Sequence, residues 1–196
     1  MSVARIEQLR GRIDALQGAP TRLSVPVLPV LDGLVRLRTG SVYGADSAGL
    51  VMTLVAGASQ AGEWVGFVGW DDFGVEAAHQ RGIDLARTVL VPRPGEHWLE
   101  VTAALVDVVK VVALRPPGPV DAKSAGILDA RLRARSAVLV VQGEWPGCEA
   151  WLGLESAEWL GVGRGEGRLS GRRGDLVARR GGRAAARSTV LLDEGA

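Results

Sequence analysis

Apolar residues at Ile6, Leu9, Ile13 and Leu16 recur at steps of three and four, so they share one face of a predicted helix over residues 3–17. Ser2 is suited to cap it, and Gly18 with Pro20 ends it. From Pro20 to Leu31 the chain is rich in proline and β-branched residues, and Pro26 and Pro29 argue against helix, so an extended linker is expected. After Gly33 the pattern alternates between short apolar runs and helix-length segments. Strands are predicted at Leu34–Tyr43 (one or two), 63–69, Thr88–Val91, Val108–Ala113 and Ala137–Val141. Helices are predicted at Ser47–Ala61, Val75–Arg81, Gly95–Val106 and Asp121–Arg135. Strands joined through helices imply right-handed crossovers and a mostly parallel sheet. The continuous runs VVKVVAL and AVLVV fit strands covered on both faces. The last part of the chain is dense in glycine and arginine, with apolar runs at 159–162, 175–178 and 188–192, and predicts antiparallel strands on the sheet edge.

This gives an α/β chain in four parts: an amphipathic helix (1–18), a linker (19–32), a core (33–157) and a basic extension (158–196). Its 196 residues can bury a real core. One cysteine, Cys148, excludes an internal disulfide framework and fits a reducing cytoplasm. A net charge of +1 gives no global attraction to nucleic acid or membrane. No apolar run reaches the ~18 residues of a membrane span, and the N-terminus does not read as a signal peptide.

The candidate chemistry starts where the strand ending at Tyr43 meets a helix. Gly44-Ala45-Asp46-Ser47-Ala48-Gly49-Leu50-Val51 has the spacing of a Walker A phosphate loop, G-x-x-x-x-G-K-[ST]. In a working loop the lysine reaches the phosphates and the hydroxyl holds Mg²⁺. Here Leu50 and Val51 stand at those positions.

YGADSAGLV resembles the YGPESSGKT loop of RecA recombinases, and the similarity continues in order along the chain. WVGFVGWDDF (64–73) is similar to the RecA strand and turn that carry the catalytic glutamate, with Asp71 at or near that place. AHQRGIDLARTVLVPRP (78–94) is similar to the segment that follows. VDVVKVV (106–112) resembles the Walker B strand, with Val112 in place of the metal-binding aspartate. RLRARSAVLVVQ (131–142) resembles the strand ending in a nucleotide-sensing glutamine, here Gln142. The resemblance covers about residues 33–142. It implies a RecA-like fold with a vestigial nucleotide site at Gly44, Gly49, Leu50, Val51, Asp71, Val112 and Gln142. No cofactor, no metal and no ATPase activity are expected.

Small RecA-like chains with decayed Walker motifs resemble the ImuA-type accessory proteins of bacterial damage-induced mutagenesis. That resemblance implies a translesion-synthesis complex with an ImuB-type Y-family-like protein and an error-prone replicative-type polymerase. SulA-type division inhibitors, or an ATPase with an unorthodox site, are the alternatives.

Three further features have two readings each. The stripe Ile6, Leu9, Ile13, Leu16 either covers the chain's own sheet or docks on a partner or second copy. Between residues 164 and 187 eight arginines face two acids, a local charge of about +6. That stretch, with Arg172, Arg173, Arg179, Arg180 and Arg183, is either a solvated face or a patch for weak DNA binding or an acidic protein. Trp145, Trp151 and Trp159 are core residues or interface anchors. His79, His97 and Cys148 lack neighbours at metal-ligand or nucleophile spacing.

Overall fold

A computed structural model describes residues 22–160, 171–181 and 183–192. The N-terminal stripe Ile6, Leu9, Ile13, Leu16 lies outside the described residues, as do Arg164 and Arg168 of the basic stretch. The chain runs β1 (Ser24–Val25), β2 (Leu37–Arg38), β3 (Ser41–Ala45), α1 (Ala48–Gln60), β4 (Val65–Val68), α2 (Val75–Gln80), β5 (Thr88–Val91), α3 (Trp98–Val106), β6 (Val111–Leu114), α4 (Ala122–Arg135), β7 (Val138–Gln142), β8 (Ala150–Leu160), β9 (Gly171–Arg180) and β10 (Arg183–Leu192). No helix among the described residues is long and apolar enough to cross a membrane.

The fold is α/β, built on an eight-stranded sheet in the order β10-β9-β8-β3-β7-β6-β4-β5. Every pair from β8 through β5 is parallel, and β8–β9 and β9–β10 are antiparallel. Side chains alternate between the two faces of a strand, so the continuous apolar runs feed two cores. Tyr43, Phe67, Ala113, Val140 and Leu152 face one core with α1 and α2. Val42, Val68, Val112, Leu139 and Val141 face the other with α3 and α4. Asp121 caps α4 by accepting from the Lys123 and Ser124 amides, and Ser136 ends it in the left-handed region.

The predicted linker is corrected in its described part. Residues 22–32 pack on the core: β1 pairs with β2, Val25 and Leu31 are buried, and Pro29 opens a short 3-10 turn. Proline is compatible with the first position of such a turn, where its missing N–H has no partner to lose. The segment lies across α1 at Gly57, where a Cβ would come within 2.5 Å of Val27 Cα. Behind it Tyr43 is fully buried; its hydroxyl donates to the Arg36 carbonyl and accepts from the Arg38 amide, both at 2.9 Å. Burial pushes this phenol up to about 12.

The boundary expected at residue 157 falls inside a strand. β8 is continuous from Ala150 to Leu160, so the extension grows directly out of the core sheet.

Candidate functional site

In an open α/β sheet, ligands bind at the carboxyl ends of the strands, where successive connections leave in opposite directions. Here α1 and α2 lie on one face and α3 and α4 on the other. The connection after β4 therefore leaves on the opposite side from the one after β6, and these strands are neighbours. A crevice of about 220 Å³ opens there, lined by Gly49 and Met52 of α1, Trp70 and Asp72 after β4, Arg81 after α2, and Arg115 after β6.

The loop with Walker A spacing meets this crevice through Ala48 and Gly49. Only Asp46 and Ser47 separate β3 from α1. Gly44 is inside β3, paired with Val141 and Trp151. Its lack of a side chain admits the Trp151 indole, since a Cβ would lie 2.6 Å from Trp151 Cδ1. Asp46 is committed to the extension: its carboxylate accepts from the Leu154 amide at 2.8 Å. Ser47 makes no side-chain cap, and the first turn of α1 holds no acid. Leu50 and Val51 are buried in the core shared with the sheet.

Val112 requires a correction. Residues 107–109 form the turn that closes α3, so β6 begins only at Val111. Val112 is thus fully buried in mid-strand against the α3/α4 core, away from the carboxyl end. The residue that follows the end of β6 and enters the crevice is Arg115.

Arg115 is the centre of the site's polar contacts. Its Nε donates to Gln142 Oε1 at 2.7 Å, and its Nη1 donates to the Asp72 carboxylate. Its guanidinium carbon lies 4.4 Å from the centre of the Trp70 ring. The Arg115 hydrogen bond holds the Asp72 carboxyl below the usual range. Gln142, the last residue of β7, meets Arg115 and lines a neighbouring crevice, whereas Asp71 is exposed and its neighbour Asp72 reaches Arg115. Arg115, Trp70 and Asp72 were missed because an arginine before Pro116-Pro117 carries no signal in sequence; only the topology brings the ends of β4, β6 and β7 together.

The predicted basic patch is divided between faces. Arg179 and Arg187 lie on the open face of the extension and pair with Glu155 at 3.0 and 3.2 Å, with Arg179 over the half-buried Trp151 ring at 5.4 Å. Arg173 is exposed on that face by strand alternation. Arg180 points the other way and donates to the Leu34 carbonyl at 3.0 Å. Arg172 and Arg183 lie on β9 and β10. The arginines of this stretch are therefore expected to differ in what they contribute to stability. Arg180→Ala is expected to lower stability by about 1–2 kcal/mol through a lost charged hydrogen bond, and Arg179→Ala by less than about 1 kcal/mol. Urea denaturation of the two variants checks this; equal effects would contradict the division.

Trp145 is buried against the α3/α4 core, and Trp159 lies on β8. His79 lies in α2, and His97 has Glu96 as its neighbour at 3.8 Å. Cys148 is half-buried, and burial raises its thiol above the ordinary value.

Comparison with known proteins adds two findings. The family model described as the MT3502 N-terminal domain matches residues 29–147. An uncharacterized protein of Mycobacterium tuberculosis strain H37Rv, Rv3395c, is 34% identical over 151 residues, 73% of this chain and 72% of that one.

Proposed function

The chain belongs to the MT3502 N-terminal domain family, and from that premise we propose that it is a RecA-like scaffold that has given up nucleotide and acts through protein contacts in a damage-induced translesion-synthesis complex. The observation that carries the reading is the state of the crevice. The positions of the Walker lysine and hydroxyl, Leu50 and Val51, are core. After β6, where a metal-binding carboxylate would be needed, stands the cation Arg115. A phosphate loop acts through a lysine, a hydroxyl-held Mg²⁺ and oriented backbone amides. Only the last of these remains, and an acid such as Asp71 has no metal-bound nucleotide to act on.

The translesion assignment rests on the ordered resemblance of residues 33–142 to RecA-like chains and, among these, to the ImuA-type accessory proteins. The partners it implies are an ImuB-type protein and an error-prone replicative-type polymerase. The divided arginines favour protein contact over a phosphate-tracking surface, because Arg179 and Arg187 already share Glu155.

Calorimetric titration with Mg-ATP is expected to give no saturable signal in the micromolar range. Pull-down of the tagged full chain from cells with damaged DNA is expected to recover the two partners. A saturable isotherm overturns the nucleotide-free reading. Recovery of cell-division proteins in place of polymerases overturns the translesion assignment.

A further inference from the structure

Three loops meet at the carboxyl edge of the sheet: 69–74 after β4, 115–120 after β6 and 143–147 after β7. Backbone bonds tie these loops only at their bases, such as the Arg115 amide donating to the Val68 carbonyl at 2.9 Å, so beyond the strand ends something else must hold their relative positions. In a nucleotide-binding protein of this architecture a ligand in the crevice does that work. Here one side chain touches all three strand ends. Arg115 belongs to the second loop, reaches Asp72 and Trp70 in the first, and receives Gln142 from the last residue of β7.

The geometry points to Arg115 as an internal ligand: a guanidinium, tethered to the chain, that stands in the wall of the crevice and ties together the ends of β4, β6 and β7, in place of a bound small molecule. The chemistry of the surroundings suits that group. A carboxylate and an amide oxygen accept its N–H groups, and its guanidinium carbon lies 4.4 Å from the centre of the Trp70 ring; these are partners suited to a planar cation. The arginine is three-quarters buried, its side chain 26% exposed, so water competes only partly for these bonds. Glycine supports the arrangement from the backbone. Gly69 has φ +80°, and a Cβ there would lie 2.2 Å from the Arg115 carbonyl oxygen, so the backbones after β4 and β6 meet closely at Arg115. Gln142 also lines a second, larger crevice of about 560 Å³ between Pro116, Pro119, Trp145 and Pro146. Arg115 thereby sets the position of one wall of that groove as well.

The inference rests on the crevice being free of nucleotide, and its test separates the two ideas. Hydrogen–deuterium exchange is followed on the full chain, on Arg115→Ala and on Arg115→Lys. The same samples are then run with millimolar guanidinium chloride and with sodium chloride at equal ionic strength. Arg115→Ala is expected to speed exchange of loops 69–74 and 143–147 about tenfold, leaving the amides of β3 and β7 unchanged. Arg115→Lys keeps the charge but cannot bridge both acceptors, and is expected to speed the same loops. Guanidinium, but not sodium, is expected to slow them again in Arg115→Ala and to leave the wild type unaffected. If Arg115→Ala does not fold, Asp72→Asn, changed at an exposed side chain, takes its place in the exchange comparison. Unchanged loop exchange, a uniform acceleration across the whole sheet, or no response of Arg115→Ala to guanidinium each overturns the internal-ligand assignment. Mg-ATP is titrated into the wild type in parallel. A saturable isotherm there overturns the nucleotide-free reading, while localized loop acceleration and guanidinium rescue would still stand as a property of the apo chain.

Discussion

Putting the lysine and hydroxyl back, as Leu50→Lys with Val51→Thr, is expected to give a less stable protein that still binds no nucleotide. Both native side chains are almost wholly buried, at 3% and 0% exposure. Removing Leu50 forfeits core packing, and the ammonium that replaces it has no acid in the first turn of α1 to meet. It would instead lie at the positive end of that helix. Two guanidinia, Arg81 and Arg115, line the crevice it would have to reach. The threonine hydroxyl can bond back to the Ser47 carbonyl, so its share of the cost is smaller. Together the changes are expected to cost about 3–5 kcal/mol. Urea denaturation measures the loss, and calorimetry with Mg-ATP measures the function. A double variant as stable as wild type that binds ATP would show that the loop is a dormant site and not core.

The second large effect is expected at Gly57. A Cβ there would fall 2.5 Å from Val27 Cα and 2.7 Å from the Pro26 carbonyl oxygen, both backbone atoms that cannot swing aside. Gly57→Leu must therefore lift residues 26–28 off α1 or bend the helix. Because Val25 and Leu31 on either side are buried in the same core, the expected loss is on the order of 3 kcal/mol. Limited trypsin digestion should show earlier cleavage at Arg22 and Arg36, with urea denaturation giving the magnitude. A variant with wild-type stability and digestion would mean that this segment is a linker after all.

The sequence made the alternation of strands and helices legible because glycine and proline punctuate it. Gly62, Gly69 and Gly82 all adopt positive φ at the turns where runs end. Thr88–Val91 was read with the bounds the structure shows, and α4 and β7 to within a residue. Proline misled at 26–29, since it forbids regular helix but not a packed, extended segment with a 3-10 turn. The start of β8 was hidden because Trp151-Leu152-Gly153 looks like a turn. Gly153 is needed there for another reason: a Cβ would lie 2.5 Å from the Trp151 ring, so the glycine makes room for the indole inside a strand. Val112 was misplaced because VDVVKVV reads as one apolar run, while Val106 ends α3 and the next three residues form the turn after it. The loop with Walker A spacing was visible in the sequence. The cation beside it was not, since Arg115 acquires its partners only through contacts 27 and 43 residues away in sequence.

The place of β3 in the sheet also bears on how the protein is made. β3 lies between β7 and β8, whose residues follow it by about a hundred positions. A chain emerging from the ribosome at ~5–20 residues per second exposes this strand for several seconds before either neighbour exists. During that interval both hydrogen-bonding edges of β3 are open, and only the preceding residues 22–38 and α1 are there to pack against Val42 and Tyr43. The rest of the parallel sheet can assemble as β4, β5 and β6, but it cannot close until β7 arrives. Vectorial synthesis therefore leaves this central strand as one of the last to be enclosed, and strand order alone sets an interval in which its edges are exposed to aggregation.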